Sequence, residues 1–284
     1  MAGSDGTNTE AITAWNTILF DKFVKYRPYV STALGAHGDR GIERLAPTSG
    51  ARIVDIGCGF GDTTAQLADR VGATGVAVGV DAAERFIEQA RSENRARANV
   101  RFEVADVERE VPGGPYDAAY SRMGTMFFAS PVIALRNIRK ALVPGGKLCM
   151  VVWRRKDAND CFYAAELVVR ELLGEPPKGD QVTCGPGPFS MASPDLVSDQ
   201  LRAAGYTSMS FERSDAEMLV GENMKTAIDI ALTIGPAGEV VRLAGDEAVK
   251  RRAEIEAAIA QSFKQFERAD GVFAASSTWI VTAS

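Results

Sequence analysis

The chain has 284 residues, of which 46% are hydrophobic and 24% charged, with a net charge of −5 at pH 7. This composition is typical of a packed globular protein, and the negative charge provides no field that would attract the phosphates of nucleic acids. The opening residues 1–10 lack the basic and apolar regions of a secretory signal, and no apolar run is long enough to cross a bilayer. We therefore expect a cytoplasmic protein that binds neither nucleic acid nor membranes. The choice between a monomer and a homodimer stays open.

The cysteines and the single histidine do not form a metal-binding pattern. The cysteines have no paired spacing, and His37 is the only histidine, so a zinc site would lack its ordinary ligands. We expect no bound metal and four reduced thiols, which are Cys58, Cys149, Cys161 and Cys184.

The first predicted element is helical and covers Ala11–Leu45, a segment dense in aromatic residues. From Arg52 to Trp153 short β-branched runs alternate with helix-like segments, which is typical of a parallel sheet with crossover helices. The predicted strands are Arg52–Ile56, Val76–Val80, Val100–Val104, Ala118–Ser121 and Lys147–Trp153. The predicted helices between them are Thr63–Arg70, Ala83–Arg97 and Pro131–Leu142, the last stopped by Pro144-Gly145-Gly146.

The pattern changes after Trp153, where helices predominate. We predict a helix over Cys161–Leu173, a loop rich in glycine and proline, and a helix that Ser193 caps and Gly205 ends. Strands are predicted at Ser208–Arg213 and Thr278–Thr282, with helical stretches near Glu222–Leu232 and Glu247–Phe266 between them. The prediction is an α/β, Rossmann-like, doubly wound fold with a mostly parallel seven-stranded sheet. Its parts are an N-terminal helical lid (residues 1–45), a ligand-binding core (46–153) and helical insertions with the last strands (154–284).

A glycine-rich turn, Asp55-Ile56-Gly57-Cys58-Gly59-Phe60-Gly61, lies directly between the first predicted strand and a helix. Glycines there let the chain turn sharply and bring bare backbone against a ligand. Dinucleotide enzymes use a similar turn, but the third glycine of their G-x-G-x-x-G pattern would fall at Asp62. The pattern here is G-x-G-x-G.

Acidic residues follow the next two strands. Asp81 ends the second strand, where one carboxylate can accept hydrogen bonds from both hydroxyls of a ribose. Asp106, in Ala105-Asp106-Val107 after the third strand, can accept from an adenine amino group. With the glycine-rich turn at Asp55, three strand ends in succession carry acidic residues, and packing alone poorly explains this pattern. The sequence therefore predicts a nucleotide-type ligand.

Residues 51–153 resemble the class I S-adenosylmethionine-dependent methyltransferases. The matching pieces are the glycine-rich turn, Val80-Asp81, Ala105-Asp106, Ser121-Arg122-Met123-Gly124-Thr125-Met126-Phe127-Phe128 and Leu142-Val143-Pro144-Gly145-Gly146-Lys147-Leu148. The chain is most similar to bacterial enzymes of ubiquinone and menaquinone biosynthesis and their relatives, the methyltransferase type 11/25 group. A later Gly-Pro-Phe-Ser at residues 187–190 belongs to that resemblance.

The resemblance implies S-adenosylmethionine as cofactor and assigns roles to residues of this sequence. Gly57, Gly59 and Gly61 would line the methionine part, Asp81 the ribose and Asp106 the adenine. The Ser121-Arg122 backbone would bind the amino group, and Asp55 would brace the glycine loop. The full predicted cofactor set is Asp55, Gly57, Cys58, Gly59, Gly61, Asp81, Ala82, Ala105, Asp106, Val107, Ser121 and Arg122.

Other residues are candidates for the acceptor side. His37, in the turn-like Gly35-Ala36-His37-Gly38, is the candidate general base, because histidine titrates near neutrality. Tyr26, Met123 and Trp153 are candidate substrate contacts, with core packing as the alternative for Tyr26. Arg122 has two interpretations, a structural pair with a neighbouring aspartate or a partner for a ligand carboxylate.

The predicted function is methyl transfer to a small-molecule acceptor. The fourth strand lacks the Asn/Asp-Pro-Pro-aromatic stretch of nucleic-acid amino-methylating relatives, which favours a small molecule. Two alternatives stay open: a nicotinamide-dependent oxidoreductase, and an S-adenosylmethionine-binding protein without turnover.

Overall fold

The computed structural model describes residues 5–175 and 186–284, with side chains from residue 8 onward. It contains a mixed sheet with helices on both faces. In chain order the strands are β1 (Arg52–Ile56), β2 (Val76–Asp81), β3 (Val100–Val104), β4 (Tyr116–Arg122), β5 (Leu142–Trp153), β6 (Met209–Gly221), β7 (Glu267–Arg268) and β8 (Gly271–Ala283).

The helices follow the same order. They are α1 (Asp5–Ala14), α2 (Phe20–Leu45), α3 (Asp62–Val71), α4 (Glu84–Glu93), α5 (Pro131–Lys140), α6 (Asp160–Leu173), α7 (Pro194–Ala204), α8 (Met224–Thr233), α9 (Pro236–Ala244), α10 (Asp246–Lys250) and α11 (Arg252–Phe263). A π-helical turn, Trp15–Leu19, joins α1 to α2. None of the helices in the described part of the chain is long and apolar enough to span a membrane.

The sheet order is β3-β2-β1-β4-β5-β8-β6, and β7 pairs with β8 alone. Strands β1 to β5 pair in parallel, and β8 runs antiparallel to β5 and β6. The predicted doubly wound, mostly parallel fold is confirmed. The predicted count of seven strands falls one short, because the two-residue β7 is too short to show hydrophobic alternation.

The predicted end of the helix before β5 and the predicted start of β5 are both wrong, for a local reason. The fifth helix ends at Lys140, and the Pro144-Gly145-Gly146 stop lies inside β5. Leu142 pairs with Tyr116, and the register shifts between Tyr116 and Ala118, so the irregular start of β5 is read as a turn in sequence. Cys58, Cys149 and Cys161 are buried free thiols, whereas Cys184 lies outside the described residues.

Helix α2 packs on one face of the sheet, against β4, β5, β6 and β8. The segment around His37 is turn-like by its glycines but belongs to the predicted helix Ala11–Leu45, and it lies inside α2. Its glycines serve the packing of α2 on the sheet. A Cβ on Gly41 would lie 2.6 Å from both Tyr120 Oη and Val151 Cγ2, so a larger residue would force the helix away from the sheet. Close packing here outweighs the low helix propensity of glycine.

His37 joins α2 to β6 and β8 and is fully buried. Its Nε2 lies 2.8 Å from Ser276 Oγ, and its Nδ1 lies 3.1 Å from Ser214 Oγ. Since Ser276 Oγ donates to the Ala216 carbonyl, it accepts from Nε2–H, which leaves Nδ1 to accept a hydroxyl proton. Burial, helped by the nearby charge of Arg40, lowers the pKa of His37 to about 4. The histidine is therefore neutral in the folded protein at neutral pH.

Two glycines of α2 provide a matched pair for testing this packing. A Cβ on Gly35 would meet nothing within 4 Å, so Gly35→Ala gains helix propensity and should stabilise the protein by about 0.5 to 1 kcal/mol. Gly41→Ala should instead destabilise it by about 1 to 3 kcal/mol through overpacking. Urea denaturation of both variants measures the free energy of unfolding. Equal effects of the same sign would contradict the described contact.

The buried His37 should make stability fall in mild acid. Its pKa is about 4 when folded and 6.5 when unfolded, so the unfolded chain binds the proton more readily. Stability from this residue is complete above pH 6.5 and declines as the pH falls towards 4. From pH 7 to pH 5 the wild type should lose about 2 kcal/mol more than His37→Gln, as measured by urea denaturation. Asp55 and every other titrating group occur in both proteins, so the difference isolates His37. Parallel pH profiles would disprove the assignment.

Candidate functional site

A cavity of about 400 Å³ opens at the carboxyl ends of β1 to β5, where a doubly wound sheet places its ligands. Its floor comes from the strand ends, and its roof from the N-terminal helical segment and the segments after β5. Three carboxylates of the lining, Asp55, Asp81 and Asp106, lie at the ends of β1, β2 and β3, whereas the loop after β4 and the end of β5 contribute mainly apolar side chains. Phe60 and Phe86 also line the cavity beside the glycine loop. We call the side with the three carboxylates the polar half and the side of β4 and β5 the apolar half.

The glycine loop forms part of the polar half. Gly57 and Gly59 have φ angles of +68° and +53°, in the left-handed region that favours glycine, and both line the cavity. A Cβ on Gly57 would lie 2.9 Å from Gly124 Cα, so this position also needs glycine for its close approach to the loop after β4. Gly61 does not line the cavity, contrary to the prediction. It is a glycine because a Cβ there would lie 2.6 Å from the Phe102 ring.

Asp55 is 1% exposed, and its Oδ2 accepts a 2.7 Å hydrogen bond from Thr64 Oγ1. This bond joins the end of β1 to the first turn of α3, on either side of the glycine loop, as the predicted bracing role requires. Burial raises the pKa of Asp55 to about 7, although the Thr64 bond and the charge of Arg122 oppose the rise. Asp55 is therefore partly protonated at neutral pH.

Asp81 lies at the cavity wall with both oxygens facing backbone donors. Oδ2 accepts from the Gly59 N–H at 3.0 Å and Oδ1 from the Ala83 N–H at 2.9 Å. Burial raises the pKa of this carboxyl, against the effect of those bonds. A carboxylate has about four acceptor positions, so Asp81 retains capacity for further donors.

Asp106 is the third strand-end carboxylate. Its Oδ1 accepts from the Glu108 N–H at 2.9 Å, and its Oδ2 accepts from Asn8 Nδ2 at 2.7 Å. Asn8 belongs to α1, so the N-terminal helix reaches across the cavity to the end of β3. The neighbours Ala82, Ala105 and Val107 also line the cavity.

The structure brings together most of the predicted set. The cavity-lining members are Asp55, Gly57, Cys58, Gly59, Asp81, Ala82, Ala105, Asp106, Val107, Arg122, Met123 and Trp153. Besides Gly61, three predicted residues lie outside the lining. Ser121 is fully buried and donates to the Ile56 carbonyl at 2.8 Å. Tyr26 packs into the core, with its hydroxyl 3.4 Å from Thr233 Oγ1, whereas Tyr29 lines the cavity. His37 lies behind Trp153, with ring centroids 6.0 Å apart.

The apolar half contains residues that the sequence did not single out. Phe162 stacks edge-on against Trp153 at 5.1 Å and against Phe189 at 6.1 Å, and Trp15 contacts Phe127 at 5.1 Å. These aromatics lie in different elements, with Trp15 in the π-helical turn, Phe162 in α6 and Phe189 in the loop before α7, so no single sequence pattern separates cavity wall from core. Across the described ranges, no group of three or more histidine, cysteine, aspartate or glutamate residues is placed to hold a metal ion.

The roof is bound to the core by charged contacts. Arg27 of α2 contacts Asp62 at 2.6 Å and Glu93 at 2.6 Å, and Ser31 donates to Asp62 at 2.9 Å. The guanidinium also lies over the Phe60 ring at 4.4 Å. These contacts join α2 to the first residue of α3 and the last residue of α4.

Comparison with known proteins finds similarity to methyltransferases. The family described as a methyltransferase domain matches residues 53–146. The ubiquinone biosynthesis O-methyltransferase of Roseobacter denitrificans is 32% identical over 182 residues, which cover 62% of this chain and 68% of that protein. Aklanonic acid methyltransferase DauC of a Streptomyces species is 32% identical over 114 residues, 39% of this chain. The match spans about half of that relative, 52% of its length.

A solved structure supports the fold. The cyclopropane-fatty-acyl-phospholipid synthase-like protein of Lactobacillus casei aligns with a TM-score of 0.57 and 18% identity, over 89% of this chain and 90% of that one. The structural likeness shows the fold, and the sequence relatives show the family. The chain belongs to the class I S-adenosylmethionine-dependent methyltransferases.

Proposed function

We propose that this protein transfers a methyl group from S-adenosylmethionine to a small-molecule acceptor. The observation that carries the proposal is the divided cavity, with strand-end carboxylates and a glycine loop in one half and apolar walls in the other. Such a cavity holds a polar nucleotide beside an apolar acceptor. The names of relatives, a ubiquinone biosynthesis O-methyltransferase and an aklanonic acid methyltransferase, support a small acceptor.

The polar half fits the methyl donor by its chemistry. Asp81 keeps free acceptor positions for ribose hydroxyls, and Asp106 supplies a carboxylate for an adenine amino group. A Cβ on Gly59 would meet only Phe86, at 3.8 Å, so the bare backbone leaves room on the cavity side. When bound, S-adenosylmethionine supplies a methyl group activated by a positively charged sulfur.

The protein's contribution is to position the acceptor and exclude water. Aligning two reactants in one cavity replaces a bimolecular encounter and accounts for much of the rate of such enzymes. We infer that residues 1–45 act as the lid over both halves, since Asn8, Arg27 and Ser31 bind it to the core. The cytoplasmic location, the absence of nucleic-acid binding and the oligomeric state stay predictions from the sequence.

The alternatives differ in ligand and product. A nicotinamide-dependent enzyme would be stabilised against heat by a nicotinamide nucleotide, and a non-catalytic protein would bind S-adenosylmethionine without consuming it. Release of S-adenosylhomocysteine in the presence of a metabolite pool tests turnover. Thermal shifts with each nucleotide test the ligand.

Replacement of Asp81 should weaken cofactor binding while leaving the fold intact. Charge-assisted hydrogen bonds contribute about 1.5 to 3 kcal/mol each, so Asp81→Ala should weaken S-adenosylhomocysteine binding by roughly tenfold to a few hundredfold. Calorimetric titration gives the affinity, and a circular-dichroism melt checks folding. Asp81→Asn keeps one acceptor oxygen and should be intermediate. Wild-type affinity in a folded Asp81→Ala variant would contradict the proposed site.

Loss of the Arg27 contacts should loosen the lid. Arg27→Met removes ion pairs to Asp62 and Glu93, both at 2.6 Å, and leaves their carboxylates facing a methionine. We expect S-adenosylhomocysteine to dissociate several times faster, with a smaller change in its association rate. Stopped-flow fluorescence measures both rates, and Arg97→Met, which removes the exposed pair with Asp69, is the control. Equal dissociation rates in the three proteins would rule out this role for Arg27.

A further inference from the structure

Arg122 is a cation at the cavity wall that forms no ion pair among the described residues, although its charge acts on the carboxyl of Asp55. It lies at the end of β4, half-buried, and makes no hydrogen bond or ion pair within the part of the chain that the structure describes. The other arginine of the lining, Arg27, is paired with Asp62 and Glu93. Asp55 is bonded to Thr64 and makes no ion pair with Arg122, so the half-buried guanidinium keeps its hydrogen-bond donors for an anionic ligand in this cavity.

The position of Arg122 is fixed by its neighbours. Arg122 pairs with Val151 on β5, and both face α2, where a Cβ on Gly38 would lie 2.9 Å from Arg122 Cδ. Trp153, two residues beyond Val151 on the same strand, faces that side as well and packs edge-on to His37 of α2. Arg122 therefore faces the apolar half, beside Trp153 and beneath α2.

Near Arg122 and Trp153 the described lining offers no ready base for the methyl acceptor, because Asp81 and Asp106 lie at the ends of β2 and β3, on the other side of β1. His37 lies behind Trp153, and its low pKa keeps it neutral with both nitrogens bonded. Asp55 is 1% exposed and already accepts from Thr64. Asp62 is paired with Arg27, and Glu108 accepts from the Ala129 N–H at 2.7 Å. Burial raises the pKa of the Cys58 and Cys161 thiols.

We propose, resting on the proposed methyltransferase function, that Arg122 binds an acidic oxygen of the acceptor. The acceptor class is an apolar, flat molecule carrying a carboxylate or an acidic phenol or enol. A guanidinium beside such a group lowers its pKa and matches a carboxylate with two parallel hydrogen bonds. The acceptor thus enters the cavity as an anion, and no protein base is needed.

The reaction balances without a protein base. The acceptor hydroxyl or carboxyl loses its proton to solvent before transfer. A lone pair of the resulting oxyanion forms the new bond to the methyl carbon, while the carbon–sulfur bond breaks and its electron pair stays on sulfur. The products are the methyl ether or ester and neutral-sulfur S-adenosylhomocysteine, and the positive charge of the sulfonium cancels the negative charge of the oxyanion.

A second anion could also bind Arg122, namely the α-carboxylate of the methyl donor. The order β3-β2-β1-β4-β5 places Arg122 between the strand-end carboxylates and Trp153, so both sources are within the cavity. We assign Arg122 to the acceptor because its side chain lies against Gly38, the neighbour of His37, and His37 packs on Trp153 of the apolar half. The experiment separates the two sources.

The test uses matched pairs of aryl carboxylates and amides as acceptor probes. Benzoate, 1-naphthoate and 2-naphthoate are titrated calorimetrically against their neutral amides, with the protein saturated with S-adenosylhomocysteine. At least one carboxylate should bind the wild type about tenfold to a hundredfold more tightly than its amide. Arg122→Met should bring that ratio to about one, and Arg122→Lys should keep part of it. Arg97→Met, whose residue lies outside the cavity lining, is the control and should keep the ratio.

A second set of titrations measures, in the same proteins, the affinity for two analogues of the methyl donor. S-Adenosylhomocysteine carries the α-carboxylate and 5′-methylthioadenosine lacks it. Arg122→Met should leave both affinities unchanged. Loss of affinity for S-adenosylhomocysteine alone, with the aryl ratio intact, would assign Arg122 to the donor and overturn the proposal. A wild type in which no carboxylate exceeds its amide would also overturn it.

The design separates this proposal from the proposed function. Failure of the wild type to bind S-adenosylhomocysteine would contradict the methyltransferase function itself. The aryl ratios are then measured in the protein without nucleotide, where they still test Arg122. Circular-dichroism melts exclude variants that do not fold.

Discussion

The close approach of α2 to the sheet is the contact on which the cavity depends. Gly41 allows the helix backbone to meet Tyr120 and Val151, and Tyr120 donates to the Gly38 carbonyl at 2.9 Å. With its second half fixed there, the first half of α2 extends over the carboxyl ends of the strands. The same helix thereby supports Trp153 through His37, lies against Arg122 and carries Arg27 to α3 and α4. The packing of α2 thus determines the distance between the roof of the cavity and the strand ends at its floor.

Electrostatics divides the cavity along the order of the strands. The carboxylates at the ends of β1, β2 and β3 are each satisfied by loop or helix donors, so they hold their geometry before any ligand arrives. This preorganisation lowers the cost of binding, because the side chains lose little freedom. At β4 the sign changes, and Arg122 is the cation next to apolar walls. In the proposed reaction, a positively charged donor would bind beside the carboxylates and an anionic acceptor beside Arg122.

The core was predictable because its signals are local. Strands β1 and β3 match their predicted bounds, and the glycine loop and Asp81 follow directly from strand-end chemistry. His37 and Tyr26 could not be placed in the same way. The predicted helix Ala11–Leu45 includes His37, but only the packing of α2 against β4, β6 and β8 shows that this side chain is buried away from the cavity. Tyr26 and Tyr29 both lie in α2, and their different directions follow from how the helix is rotated on the sheet.

Gly61 shows why a family pattern does not by itself give a residue's role. The resemblance assigns the third glycine of the loop to the cofactor, whereas Gly61 lies outside the cavity lining, and the ring of Phe102 occupies the space that its Cβ would take. Gly61 directly precedes Asp62, where α3 begins, and its φ of +80° turns the chain into that helix. The residue therefore serves the turn into α3 and the packing on β3. Since Asp62 binds Arg27 and Ser31, the direction of that turn also determines where the lid meets the core.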